Sequence, residues 1–479
     1  MTGKTIRATM PTAQRPMPAP RYRRPPVAAG RKALWVILPA LLLFYSALLP
    51  PEIRISVAGQ TFYPPRLVGF GLLPWMIWQM VRQPVRFILL DYMIFFSCFW
   101  MVFAFIVYYG FGSGLLRGGA LSFDVLIPYL VCRLCFRESQ QFRRFLVLAT
   151  PGLLVVGLSM MAEALTARHL VRPAASLIFG SLPTYENGVA TGDGELFVES
   201  RLGILRAMGP FSHPIHAGMF MASFLPLFAL SGLIKWPRGT GTVASLLAVF
   251  SASSAAFLAI LIAGFLLILE RLQRVVTIMT WRLNVIVLSS LMLVAHLTSE
   301  GGLVNVLVRY TLNPQTARFR RLIWRYGTAS VEKHPWIGIG FTDYERLPWM
   351  VPSVDNYWLL LAIRFGLAPA VLIFVVCIAA IWLISLRSAK MPEIERRLRV
   401  GLAISLFGLA LLAFTVSVYG GLQTWFYMLL AATVSMTAMS SAGMATPARQ
   451  IMMRRPGPPP IALARPALAR PGPQLRLKD

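Results

Sequence analysis

Residues 242–269 read TVASLLAVFSASSAAFLAILIAGFLLIL, without a single charge. About 20 apolar residues cross a bilayer as a helix. This run is too long for one ordinary span, and both of its flanks are basic: Lys235 and Arg238 before it, Arg271 to Arg282 after it. Dividing it at Ser251-Ala252-Ser253-Ser254 gives two short helices joined by a polar turn, with both basic flanks on one side of the membrane. The run is one of several. Ala33 to Leu49, Ile88 to Tyr109 and Leu367 to Ser385 are similarly apolar. None alternates as a barrel strand would, and lipid leaves only helices or closed barrels. The sequence therefore predicts an all-α, polytopic membrane helix bundle.

Composition agrees. The 479 residues are 57% hydrophobic and 13% charged, against about 25% charged in a soluble domain. Spans are expected at 33–49, 67–81, 88–109, 118–133, 145–164, 215–234, 242–254, 256–270, 284–298, 367–385, 400–418 and 424–440, about twelve transmembrane helices in all. With the N-terminus in the cytoplasm, about two-thirds of the lysines and arginines fall on the inner side, as the positive-inside rule requires. The formal net charge of +28 thus points to topology and anionic headgroups before nucleic acid.

The chain divides into a basic N-terminal tail (1–32), a membrane domain (33–440) and a basic, Pro-rich, disordered tail (441–479), both tails cytoplasmic. The N-terminal segment lacks the small-residue cleavage site of a signal peptide. Two long loops, about 165–214 and 299–358, face outward and are expected to lie ordered on the bundle. The second contains short amphipathic pieces near Leu303–Val308 and Leu322–Trp324.

Chemistry concentrates in those loops. The second carries an arginine row (Arg318, Arg320, Arg321, Arg325), then His334-Pro335 and Gly338-Ile339-Gly340, and ends in Asp355-Asn356-Tyr357-Trp358 with Arg364-Phe365-Gly366 beyond. The first ends in Arg201 to Pro214, including Arg206 and His213, with His216 opening the next span. A guanidinium fork matches phosphate oxygens, so arginines at a lipid boundary suggest an anionic ligand or plain contact with headgroups. Asp355, where the chain re-enters the membrane, is the best candidate base; its alternative is to cap the helix that follows. His213, His216 and His334 have no standard zinc spacing, and a structural turn is the plainer reading. The acids Asp91 and Glu163 fall inside or beside spans, where such groups are costly and often functional. Cys132-x-x-Cys135 reads as two small residues on one helix face. No Walker-type phosphate loop is present, which disfavours an ATP-driven pump.

Taken together, the run from Arg201 to Gly218, the Arg318–Gly340 segment and Asp355-Asn-Tyr-Trp with Arg364-Phe-Gly-Leu resemble the O-antigen ligase / O-antigen polymerase family, over roughly residues 33 to 440. The resemblance implies a bundle like C-type glycosyltransferases in the bacterial inner membrane, with a periplasmic site. Its donor would be a glycan on undecaprenyl diphosphate, and neither metal nor cofactor would be needed. It would assign Arg318, Arg320, Arg321, Arg325, Arg206 and Arg364 to the diphosphate, and Asp355, Asn356 and His334 to catalysis.

Two departures stand out. Ser253-Ser254-Ala255 lacks the arginine of the family's Ser-Arg-Gly, and Asp355 stands where ligases commonly have His. The first leaves diphosphate binding to Arg318, Arg320, Arg321, Arg325 or Arg206; the second leans away from a lipid A ligase and towards an exopolysaccharide polymerase, with a flippase and a chain-length regulator as implied partners. A ligase to lipid A core or protein is the alternative. A lipid-linked oligosaccharide transporter is a reading of another class, and it would need charged residues lining a mid-membrane path.

Overall fold

A computed structural model describes residues 31–57, 60–182, 185–186, 189–190, 200–201, 203–234, 236–276, 281–299, 314–388 and 391–453. The expected amphipathic piece Leu303–Val308, and the tails up to residue 30 and from residue 454, lie outside the described residues. The described residues are 76% helical, with fifteen α-helices among them. Three two-stranded antiparallel ribbons are the only sheet among them.

In chain order the helices are α1 (Arg31–Ala47), α2 (Pro64–Arg82), α3 (Leu89–Tyr109), α4 (Phe111–Cys135), α5 (Ser139–Thr166), α6 (Val171–Phe179), α7 (Pro214–Leu230), α8 (Trp236–Leu246), α9 (Ser254–Val275), α10 (Trp281–Thr298), α11 (Pro314–Lys333), α12 (Tyr357–Phe365), α13 (Leu367–Ser388), α14 (Glu393–Leu412) and α15 (Gly420–Met453). Five are long and apolar enough to cross a membrane: α3, α4, α5, α9 and α13 up to Arg387. Shorter apolar helices lie within α1, α7 and α10. Helix α15 continues to Met453, so its backbone is helical past residue 441, where the tail was expected to begin.

The long apolar run breaks at its serines. A 3-10 turn over Leu247–Ser251 ends at Ala252, which is left-handed (φ 42°), and α9 starts at Ser254. Phe250 accepts a backbone hydrogen bond from Ala207, tying the break to the first long loop. The α3–α4 hairpin closes on small residues. A Cβ on Gly114 would lie 2.3 Å from the Phe105 carbonyl, so only glycine permits this approach.

The core centres on Trp425 in α15. Its ring stacks on Phe224 (centroids 4.1 Å apart) and on Phe145, and meets Phe44 edge to face. Its indole N–H donates to Ser223 Oγ at 2.8 Å. Helix α7, which supplies Phe220, Phe224 and Phe228, is buried along almost its whole length. A buried indole N–H needs an internal partner, which Ser223 supplies.

The buried acids have structural partners. Asp91 receives Arg133 at 2.7 and 2.8 Å, Tyr129 at 2.7 Å and the backbone N–H of Ile88. Glu163 accepts four backbone N–H groups, from Leu170, Val171, Met208 and Gly209 at 2.9 to 3.3 Å. It thereby staples both ends of the first long loop to α5. Cys132 and Cys135 are free and buried.

Candidate functional site

The arginine row lies on a helix. Helix α11 buries Arg320, Ile323, Gly327, Ser330 and Val331, a spacing of three and four that marks one face. Arg320 therefore points inward, while Arg318, Arg321 and Arg325 are exposed on the other side.

Beneath that buried face a small pocket is lined by Arg320, Ile323, Trp324, Asp355, Asn356, Phe414 and Thr415. The residues at the start of α12 divide the work there. Asn356, not Asp355, is the N-cap, and its Oδ1 accepts from Leu359 N at 3.0 Å. Asp355 is left facing the pocket, where no hydrogen bond to a described residue occupies it. Burial raises the proton affinity of its carboxyl, and the Arg320 guanidinium partly offsets this. Burial in turn weakens the proton hold of Arg320, with Asp355 opposing and Arg201 adding to the effect. Arg320 Nε has no hydrogen-bond partner among the described residues. Arg201 links this pair to a further basic group. Burial first, then His216, Arg206, Arg172 and Arg201, hold His213 neutral. Arg206 is buried, and Arg172 is bound to Glu52 at 2.7 Å.

The Gly-x-Gly after His334 packs against the end of a helix. Ile339 N donates to Ile363 O at 2.8 Å and Gly340 N to Arg364 O at 3.2 Å, capping the last carbonyls of α12. Gly366 (φ 82°) is pressed against Trp336: a Cβ there would lie 2.0 Å from its carbonyl oxygen. Trp100 Nε1 donates to both Trp336 O and Phe365 O, locking the clamp to α3. The clamp fixes Arg364, the last-turn residue of α12. Pro335 O accepts from Leu367 N, so exposed His334 lies by the C-terminal end of α12. Asp355 lies at its other end, about 13 Å away along a nine-residue helix. The structure thus brings Asp355, Asn356 and Arg320 together, with Arg201 in electrostatic reach of Arg320, and sets His334 and Arg364 apart from them.

Arg364 instead lines a cavity of about 430 Å³ on the other side of the 413–420 turn, with Tyr357, His216, Arg66, Arg117 and Asp124. His216 Nε2 lies 2.9 Å from the Ser417 carbonyl, and His213 Nδ1 accepts from Ile215 N as the N-cap of α7. Among the described residues no group of three or more His, Cys, Asp or Glu could hold a metal ion. Sequence reasoning missed Arg66, Arg117 and Asp124. The available signal was charge within or beside an apolar helix, which is expensive unless used.

Compared with protein families and with curated proteins, the chain matches no family model and no curated sequence.

Proposed function

We propose that the chain is a membrane-embedded glycosyltransferase that polymerises an exopolysaccharide or O-antigen, transferring glycan from undecaprenyl diphosphate to a lipid-linked repeat unit. The observation that carries this reading is the Asp355–Arg320 pocket: a carboxylate of raised proton affinity facing a buried guanidinium at the loop end of an apolar bundle. Asp355 takes the proton of an acceptor hydroxyl. The freed oxygen attacks the anomeric carbon, the bond from that carbon to the phosphate oxygen breaks, and the diphosphate leaves with the electron pair. Arg320, supported by Arg206 and Arg201, stabilises the charge on the leaving group. Asn356 positions Asp355 by starting α12 beside it. The reading includes twelve spans, the C-type glycosyltransferase architecture, the inner membrane, cytoplasmic termini, and a flippase and chain-length regulator as partners. The Asp355–Arg320 pocket, formed where the second long loop meets the start of α12, favours it over a transporter.

The ligase reading keeps the same pocket and changes the acceptor. Deletion of the polymerase leaves lipid-linked single units, whereas deletion of a ligase leaves assembled, unattached polymer. Asp355→Asn should abolish polymer at unchanged protein level, a rate loss of about 10²–10⁴-fold. Wild-type polymer from that variant would end the assignment.

A further inference from the structure

Helix α6 turns an apolar face away from the protein. Leu170, Ala174, Leu177 and Ile178 are exposed, at spacings of four, three and one that keep them on one side of the helix. Leu177 is 89% and Ile178 76% exposed, although the helix is too short to cross a membrane. The opposite side is buried and fixed. Arg172 is 1% exposed, with Nε 2.7 Å from Glu52 Oε1 and Nη1 3.2 Å from the Ser212 carbonyl. Ala175 is buried as well. Glu163 Oε1 holds the start of the helix, accepting from Leu170 N and Val171 N. The helix cannot roll its leucine side inward without breaking these bonds.

Lipid is the cover that fits this face. Helix α5, long and apolar enough to cross a membrane, exposes Leu148, Val155, Leu158 and Leu165 along one side. Leu165 lies in its last turn, so this lipid-facing row reaches the start of α6. Charge agrees. Residues 167–182 contain no Asp or Glu. Exposed Arg168 precedes the apolar face, and Arg54 lies just beyond it, with Nη2 2.9 Å from the Ser181 carbonyl. An apolar helix face bracketed by cations is complementary to a bilayer interface, with acyl chains at the leucines and phosphates at the guanidiniums.

We propose that α6 is an interfacial membrane anchor: its Leu170, Ala174, Leu177 and Ile178 face inserts among the acyl chains of the leaflet that meets the C-terminal end of α5, with Arg54 and Arg168 at the level of the lipid phosphates. Arg172 ties α6 to Ser212, and Glu163 ties it to Met208 and Gly209, so the bilayer holds the first long loop at a fixed depth. This anchoring is independent of the reaction at the Asp355 pocket.

The test uses the full chain in nanodiscs of phosphatidylcholine and phosphatidylglycerol. All four native cysteines are buried, so a nitrobenzoxadiazole label goes to the introduced thiol of Leu177→Cys or, separately, of Ile178→Cys. Leu165→Cys is the reference within lipid, and Glu345→Cys, on an exposed side chain of the second loop, is the reference in water. Labels at both α6 sites should emit at shorter wavelength than the label at Glu345→Cys. Lipid carrying a nitroxide on the upper acyl chain should quench them as it quenches the label at Leu165→Cys. Iodide should quench them about fivefold less than the label at Glu345→Cys. Strong iodide quenching with none from the nitroxide lipid would leave the face in water and overturn the proposal. Protection from both quenchers would mean that a second copy or another segment of the chain covers the face, and would overturn it equally. Both α6 sites are on exposed side chains, so a thermal midpoint equal to wild type certifies each variant, and either one alone decides the result.

Discussion

The two ends of the bundle use arginine differently. At the end where α1 begins, arginines are bound by the protein itself: Arg133 to Asp91, Arg143 to Glu395 and Arg396 to Glu270. At the opposite end the carboxylates are taken up elsewhere. Glu52 goes to Arg172, Asp124 to Arg66 and Glu163 to four backbone N–H groups. Asp355 faces a pocket across from Arg320, and the neighbouring cavity lining holds more guanidinium than carboxylate. The positive-inside rule predicts where arginine accumulates but not what it does. An arginine with an internal carboxylate is part of the scaffold, and an excess of arginine over carboxylate in a pocket marks a place for an external anion.

Cutting a scaffold pair tests that contrast most severely. Asp91 is 0% exposed and Arg133 3% exposed. Asp91→Ala should cost about 3–5 kcal/mol, because it strands a buried guanidinium. The change should appear as a lowered thermal midpoint and poor yield, and a midpoint equal to wild type would deny that this end is structural. Arg320→Gln should do the reverse. Stability should hold, since a buried guanidinium whose Nε has no partner among the described residues is removed, while the transfer rate should fall about tenfold or more. The same variant has a pH signature. Asp355 acts deprotonated, and burial raises its proton affinity, so the acid limb of activity should lie above the ordinary carboxylate range. Arg320 pulls that affinity down, so Arg320→Gln should move the limb to still higher pH; a limb that stays put would remove Arg320 from the site. The smallest effect is expected from replacing exposed Arg318, Arg321 and Arg325 together with Gln. Activity should stay within about threefold of wild type, since surface charges contribute little, and a loss of a hundredfold would return the diphosphate to that face.

Much of this was legible in the sequence, for reasons that differ by region. The break at Ser251–Ser254 could be read because an uncharged run of that length exceeds one bilayer crossing. Asp355 could be read because a carboxylate at a membrane re-entry is conspicuous. The exposed arginines could not be told from Arg320, because a dense row hides its helical face until the partner helix is known. The Gly-x-Gly stood out in the sequence only as part of the polar segment. Its function as a cap on α12 depends on a contact with residues some 25 positions later in the chain. Arg66 and Arg117 stayed hidden because single arginines near span ends are common in any membrane protein.

The sequence by itself determined that the chain is helical, with several helices apolar enough to cross a membrane, because hydropathy acts locally along the chain. Only the tertiary structure decided which arginines face which carboxylates. That choice depends on helix rotation and on contacts between distant segments, and it is what separates the bound charges of Asp91–Arg133 from the open pockets around Asp355 and Arg117.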